Sequence, residues 1–397
     1  MQAQTSHGRA TTLSLALTLL TIIFTPQTQA QWDIQDSHTT ASLRGIASVD
    51  AAIAWASGTG GTVLHTTDGG ANWQRCATPP GAESLDFRGI QAFDAHTAIV
   101  MSSGKGDLSR LYKTTDACQT WKLLFTNPDK EGFWDAIQFD SPKTGMLIGD
   151  PVKDQFPIFT SINTGNSWSR VDHVAPYAGI KKADKGWSES IFAASNSTLL
   201  IYQNPRPHTL LQILFLTGGS RSSIHIVQNF DQPIPLLGGR VMISSASSHL
   251  ADGPTAGGFS LAAKPGSAPG LLVAVGGDYQ QPDSTASTAS SCQWKEDGLS
   301  STYHCGAAAT FPHGYRSAVA YDAQQKLWIT VGPNGTDIST DDGQNWTPLK
   351  PSTQDPPDAD KNWNALSLPY VVGPKGRIGK LRPIHPPAER QPQKMNK

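Results

Sequence analysis

Charged residues recur at one position within several short apolar segments of this sequence. Arg44 lies in Leu-Arg-Gly-Ile, Arg88 in Phe-Arg-Gly-Ile and Arg316 in Tyr-Arg-Ser-Ala. Guanidinium groups gathered at one place bind carboxylates or phosphates through paired hydrogen bonds. Four further segments align with these three. At the same position they have two carboxylates, an amide and an apolar residue: Asp135 in Trp-Asp-Ala-Ile, Glu189 in Ser-Glu-Ser-Ile, Asn364 in Trp-Asn-Ala-Leu, and Phe259.

A second motif, which we call the Asp box, reads Ser/Thr-x-Asp-x-Gly-x-(Thr/Ser/Asn)-Trp. The Asp or Asn side chain accepts backbone hydrogen bonds and closes a turn, and the Gly adopts a positive φ. The Trp begins the next strand and fills the core. A catalytic or calcium-binding Asp is the alternative, but a structural turn explains every residue of the motif. The box residues are Asp68, Gly70 and Trp73; Asp116 and Trp121; Asn163, Gly165 and Trp168; and Asp341, Gly343 and Trp346.

The box belongs to a longer repeat. Each repeat has an apolar strand and a glycine-rich turn before the box, which gives four short strands, and the glycine-rich turn occurs seven times. Repeats of this kind are typical of propeller blades. The sequence therefore predicts an all-β fold, a seven-bladed β-propeller of four-stranded antiparallel blades, with six or eight blades as alternatives. The last blade lacks a fourth strand, which residues 31–37 can supply to close the ring.

The two ends of the chain differ from the repeats. Residues 1–30 have a basic start at Arg9, an apolar run over 13–24 and a small-residue site at Ala30, as in a signal peptide. The run is shorter than the about 20 residues that span a membrane, although a retained anchor is the alternative. We expect cleavage near Ala30, an extracytoplasmic (periplasmic or secreted) product without a transmembrane segment, one propeller over 31–382 and a disordered tail over 383–397. Residues 245–267 and 282–291 are predicted surface loops.

Composition limits the chemistry. The four cysteines favour disulfides in an exported protein. Cys292 and Cys305 flank a possible hairpin and are predicted to pair, which leaves Cys76 and Cys118 by subtraction. No cysteine or histidine cluster has metal-ligand spacing, so we expect no metal and no cofactor. The net charge of −1 provides no basic field for nucleic acid or an anionic membrane.

Propeller topology places the first set of residues around one end of the central channel. The starts of the inner strands and the glycine-rich turns share that face, and the boxes lie on the other. Two interpretations are open: the charges pair and seal the channel, or they form a mouth that binds a carboxylate, a phosphate or an acidic protein segment. The turns add Asp150, Asp278 and Tyr279 to this candidate site.

The boxes, Leu-Arg-Gly-Ile, Val-Gly-Pro-Asn-Gly and Val-Gly-Pro-Lys-Gly-Arg-Ile resemble the photosystem II stability/assembly factor family of Asp-box (BNR-type) propellers, over most of residues 32–381. The resemblance implies a non-enzymatic scaffold, expected to be a monomer, that binds a protein partner such as an acidic segment or a membrane-protein complex. It also implies an arginine patch, which maps to Arg44, Arg88 and Arg316. The alternative is a sialidase-like glycoside hydrolase using these arginines with Glu189 and Tyr279 or Tyr315. The Arg-Ile-Pro element of sialidases is absent.

Overall fold

The computed structural model describes residues 32–171, 189–203, 211–229, 241–267, 270–297, 300–351 and 355–384. The predicted signal peptide and almost all of the predicted tail lie outside them and stay predictions. The described residues form thirty β-strands in seven antiparallel sheets, with two 3₁₀ turns at Gly106–Leu108 and Asn196–Thr198. None of their helices is long and apolar enough to cross a membrane.

The strands follow one another blade by blade. A single strand, β1 (Trp32–Gln35), precedes the first blade. Blade one contains β2 (Leu43–Ser48), β3 (Ala54–Gly58), β4 (Thr62–Thr66) and β5 (Gln74–Arg75). Blade two contains β6 (Phe87–Ala92), β7 (Ala98–Ser102), β8 (Arg110–Thr114) and β9 (Lys122–Thr126). Blade three contains β10 (Trp134–Phe139), β11 (Gly145–Gly149), β12 (Ile158–Ser161) and β13 (Ser169–Arg170).

The middle of the chain is less regular. It contains β14 (Glu189–Ser190), β15 (Leu199–Gln203), β16 (Leu211–Leu216), β17 (Gly218–Gly219), β18 (Ser223–Asn229) and β19 (Val241–Ser247). Strands β15, β16, β18 and β19 form blade four. Blade five contains β20 (Gly253–Ala263), β21 (Leu271–Asp278), β22 (Ala289–Asp297) and β23 (Ser300–Ala307), and the short β14 and β17 extend its sheet.

The last two blades close the ring. Blade six contains β24 (Ala318–Asp322), β25 (Leu327–Gly332), β26 (Gly335–Ser339) and β27 (Thr347–Leu349). Blade seven contains β28 (Ala365–Ser367), β29 (Tyr370–Val372) and β30 (Ile378–Leu381), and β1 pairs with β30 as its fourth strand. The predicted seven blades and the closing strand near the start of the propeller are confirmed.

The core lies between the blades. The buried apolar side chains form seven clusters, each of which joins two neighbouring blades. One of them packs Trp73 and Leu43 of blade one against Tyr370 and Ile378 of blade seven, so apolar burial continues around the whole ring. Such burial is the main force that holds the blades together.

The prediction of a surface loop over 245–267 is wrong, because this stretch contains the end of β19 and all of β20. Its small residues serve close packing. A Cβ on Gly257 would stand 2.3 Å from the Cα of Gly218, nearer than any real contact. Glycine is therefore required where the backbones of β17 and β20 meet. The second predicted loop, 282–291, is a turn that leads into β22.

The Asp-box segments form tight turns. In the first, Asp68 accepts hydrogen bonds from Thr66 Oγ1 (2.9 Å), Asn72 N (2.9 Å) and Asn72 Nδ2 (2.7 Å). Gly70 has a φ of 82°, and in the second box Cys118 has a φ of 61° at that position. The disulfide Cys76–Cys118 ties this second box to blade one. The predicted Cys292–Cys305 bridge is confirmed, and it links β22 to β23.

Four inner strands carry a β-bulge, which lies at the second residue of three of them and in the second half of the longer β20. Strand β2 pairs Leu43 with Gly58 and Gly45 with Ser57, so that Arg44 is the extra residue. Equivalent register shifts occur at Arg88 in β6, Asp135 in β10 and Phe259 in β20. A bulge leaves its extra residue out of the ladder and redirects its side chain. The sequence alignment of these four positions therefore corresponds to one shared backbone feature at the end of the channel.

Candidate functional site

A cavity of about 430 Å³ lies at the end of the channel where the inner strands begin. We call it the mouth cavity. Its walls come from blades one, two, five, six and seven, and its floor comes from the segment that follows β14. Its lining includes two arginines and five aromatic residues: Arg44, Arg88, Phe192, Phe259, Tyr279, Tyr315 and Trp363.

Residues 192–198, which we call the plug, cross the channel beneath this cavity. The amide of Asn196 accepts a hydrogen bond from Ile137 N and donates to the carbonyl oxygens of Ile90 and Ile137. Ser195 Oγ donates to Ser317 O. A second cavity of about 480 Å³ lies beyond, lined by Ser195–Ser197 and by the far ends of the inner strands. The plug therefore separates the channel into two cavities.

Arg88 holds the plug. Its Nε donates to Asp86 Oδ2 at 2.8 Å, and its Nη1 donates to the carbonyl oxygen of Ala193 at 3.3 Å. A guanidinium that bridges a carboxylate and a backbone carbonyl is fixed in orientation. Arg88 thus joins blade two to the floor of the mouth cavity.

Arg44 is less engaged. Its Nε stands 3.7 Å from Asp86 Oδ2, beyond hydrogen-bond distance, and has no hydrogen-bond partner in the described part of the chain. Burial lowers the pKa of Arg44, the nearby Arg88 lowers it further, and Asp86 raises it. An arginine nevertheless stays charged at neutral pH. Among the described residues its guanidinium has one ion-pair contact and no hydrogen bond. Its Nε is itself buried, so the two terminal Nη groups are the donors that a ligand in the mouth cavity would meet.

Aromatic rings form the opposite wall. Phe192 of the plug stacks on Phe259, with ring centroids 4.5 Å apart and planes within 8°. Tyr279 meets both rings edge-on at 6.2 Å, and Tyr315 meets Phe259 edge-on at 4.8 Å. Tyr279 is 46% exposed, whereas Phe259 is 2% exposed. Burial raises the pKa of Tyr315 far above its usual range, so its hydroxyl stays protonated.

Asp135 and Asp150 are not among the residues that line the mouth cavity. Asp135 is 1% exposed, and among the described residues neither of its carboxyl oxygens has a well-formed hydrogen bond. Burial raises the pKa of Asp135 well above its usual value, Asp150 adds to the rise, and Arg88 opposes it. Burial also raises the pKa of Asp150 to about 6, while a hydrogen bond from Ile191 N lowers it. These carboxyls therefore form a partly protonated pair beside the start of the plug.

Glu189 and Arg316, which the sequence placed at the mouth, are buried within the blades. Glu189 Oε1 lies 2.7 Å from His225 Nε2 and accepts a hydrogen bond from Thr217 Oγ1. Arg316 is 0% exposed, and its guanidinium donates to both Asp337 and Asn334. A buried charge is stable only when it is paired or hydrogen-bonded, and each of these two side chains is paired with a residue close to its own strand.

The remaining predicted residues lie at the mouth or its rim. Asn364 lines the cavity, and its Nδ2 donates to Leu43 O at 2.8 Å, linking blade seven to blade one. Asp278 accepts hydrogen bonds from Thr255 Oγ1 and Gln280 N in the turn that presents Tyr279. Asp86 was missed, although its place two residues before Arg88 puts both on one face of an extended chain. Phe192 gave no comparable signal.

The solved structures that are similar to this chain include two of YCF48. One is YCF48 bound to D1 peptide, which is 13% identical, with a TM-score of 0.53, covering 90% of this chain and 99% of that one. The other is YCF48 from Cyanidioschyzon merolae, which is 16% identical, with a TM-score of 0.52, covering 89% of this chain and 99% of that one. The likeness is one of fold. No family model matches the chain, and no curated protein matches its sequence.

Proposed function

We propose that this chain is an exported, non-enzymatic scaffold that binds a protein partner through the mouth cavity. The observation that carries the proposal is the guanidinium of Arg44, which faces a cavity and has no hydrogen bond to a described residue. A half-buried cation with unused donors binds a carboxylate strongly because it is already partly desolvated. The partner would therefore present an acidic segment to Arg44.

Two further observations support this function. The fold is that of YCF48, which has been solved bound to a D1 peptide, and the sequence resembles an assembly-factor family of propellers. The two disulfides are compatible with an extracytoplasmic, oxidising compartment. The hydrolase alternative needs a carboxylate that reaches a substrate beside the arginines, but Glu189 is buried against His225 and Asp86 is paired with Arg88.

The experiment compares Arg44→Ala with the parent in capture assays from the extracytoplasmic fraction of the native host, over a series of salt concentrations. We expect the parent to capture a protein whose binding weakens as salt rises, and Arg44→Ala to lose it. Arg75→Ala, which removes an exposed arginine from the outer strand of blade one, is the matched control. Arg88 is left in place because it also holds the plug.

Two results would count against the scaffold. One is capture that is unchanged in Arg44→Ala. The other is hydrolysis of arylglycosides by the parent that disappears in Glu189→Gln, which would establish the enzyme instead.

A further inference from the structure

The mouth cavity is small for a protein-binding site. Its volume of about 430 Å³ falls in the range of sites for small ligands, which is about 300–1,000 Å³. An α-helix with its side chains is about 10–12 Å wide and would not fit inside it. Because the plug closes the floor, a chain cannot thread through either. The occupant is therefore one or two neighbouring side chains of an extended segment or a chain end.

The walls of the cavity divide into two chemical halves. Arg44 and Arg88 occupy one side, and the stacked rings of Phe192 and Phe259 with Tyr279 occupy the other. Tyr315 joins the halves, since its ring packs against Phe259 and its pKa responds to Arg44. An occupant that satisfies only the arginines would leave the aromatic half in water.

Tyr279 shows where the aromatic half is open. Six large apolar side chains among the described residues are exposed, and Tyr279, at 46%, is the one that lines the mouth cavity. An aromatic ring gains stability by meeting another ring edge-on or with an offset stack. The exposed Tyr279 thus provides a surface that a second aromatic side chain would cover.

The charge of the cavity indicates how many anionic groups it takes. Arg44 and Arg88 share the single carboxylate of Asp86, at 3.7 Å and 2.8 Å. Counting only these three side chains, two positive charges against one negative charge leave an excess of one positive charge at the cavity. One carboxylate would neutralise it, and a second would be left unpaired at a desolvated site.

We infer that the mouth cavity recognises an aromatic side chain next to a single carboxylate in an extended partner segment. The inference rests on the proposed function and specifies the chemistry of its partner. The carboxylate binds Arg44, and the aromatic ring covers Tyr279 and the edge of the Phe192–Phe259 stack. A glutamate or aspartate side chain and the terminal carboxylate of a chain offer the same chemistry.

The first experiment varies the ligand. A capped peptide, Gly-Ser-Phe-Glu-Ser-Gly, is compared with one in which alanine replaces the phenylalanine and one in which glutamine replaces the glutamate. A fourth peptide ends at the phenylalanine with a free carboxylate and so distinguishes the two sources of the anion. We expect the peptide with both features to bind about tenfold more tightly than either single-feature peptide, by isothermal titration calorimetry.

The second experiment varies the protein. Tyr279→Ala should abolish the preference for the aromatic peptide and keep the preference for glutamate over glutamine. Arg44→Gln should do the reverse, and it should also flatten the salt dependence. Leu123→Ala is the control for Tyr279→Ala, because Leu123 is 47% exposed on the outer strand of blade two. Arg75→Gln is the control for Arg44→Gln.

The outcomes separate this inference from the proposed function. If the alanine peptide binds as tightly as the phenylalanine peptide, and Tyr279→Ala changes nothing, the aromatic half is not used and the inference is overturned. Arg44-dependent capture would then still support the acidic scaffold. If neither the peptides nor the captured partner respond to Arg44→Gln, both proposals fail.

Discussion

Blade six and blade four use their polar side chains differently. In blade six, Asp341 accepts hydrogen bonds from Ser339 Oγ and from Asn345 N and Nδ2, all within one turn. Blade four has no box, and its first strand, β15, follows directly on the plug, whose Asn196 bonds to blades two and three. Polar groups in a boxed blade stabilise that blade. Polar groups near blade four hold a segment in the channel and so shape the mouth.

The largest change in stability that this comparison predicts follows from replacing the tryptophan of a box. Trp346 is 3% exposed, packs between blades five and six, and donates from Nε1 to Gly343 O. Trp346→Ala should lower the free energy of unfolding by about 3–5 kcal/mol, because it leaves a cavity in the core. Thermal unfolding followed by circular dichroism measures the change.

Trp346→Phe is the matched control for this variant, since it keeps an aromatic ring in the cluster and should lose less. A melting temperature for Trp346→Ala equal to that of the parent would show that the stability of blade six does not depend on the tryptophan of its box.

Structure that depends on contacts between residues near one another in the sequence could be predicted, and structure that depends on distant contacts could not. Each box contains its own hydrogen-bond partners, so its eight residues predict its turn. Arg44, Arg88 and Asp135 could be aligned because the same apolar pattern flanks each bulge. The plug was missed because Asn196 bonds to residues 59 and 106 positions away. Nothing in its own neighbourhood indicates those partners.

The candidate site was predicted in part for the same reason. Arg44, Arg88, Tyr279 and Asn364 lie at the mouth because the blade repeat alone determines their position. Glu189 and Arg316 share that repeat position, yet His225 and Asp337, located 36 and 21 residues further on, draw them into the blades. The identity of a charge's partner is a property of packing, which the repeat does not contain.

The next effect concerns the ionisation of Asp150 beside the plug. Its folded pKa of about 6 exceeds its ordinary value of 3.8, so the folded state holds the proton more tightly than the unfolded state. The contribution of Asp150 to stability is therefore most favourable below about pH 4, declines as the pH rises to about 6, and is constant above that. Asp150→Asn keeps an oxygen that accepts from Ile191 N and should stabilise the protein above pH 6 by at most about 3 kcal/mol.

The measurement is the difference in melting temperature between Asp150→Asn and the parent from pH 4 to pH 8, which should vanish at the acid end. The box carboxylate Asp68 provides the contrast. Hydrogen bonds from Asn72 lower the pKa of Asp68 to about 2, so its stabilisation is present above pH 3.8 and is lost as the pH falls through 2. Asp68→Asn should therefore melt at a lower temperature than the parent, whereas Asp150→Asn should melt at a higher one. A change in melting temperature of the same sign for both variants would contradict the contrast between box and plug.

The smallest effect is expected from the box carboxylate itself, and it decides whether the box is a turn or a metal site. Asp341→Ala removes the acceptor for Ser339 and Asn345 and leaves Trp346 in place, so it should cost about 1–2 kcal/mol. Asp341→Asn should cost less, because the third box already uses an amide: Asn163 Oδ1 accepts from Ser167 N at 3.0 Å, and its Nδ2 donates to Ser167 Oγ.

Melting temperatures of the two variants, with calcium and with a chelator, provide the test. A turn needs an oxygen acceptor and no charge, so calcium should change none of the values. Stabilisation of the parent by calcium that is lost in Asp341→Asn would show instead that the box binds a metal, since an amide is a far weaker ligand for that ion than a carboxylate.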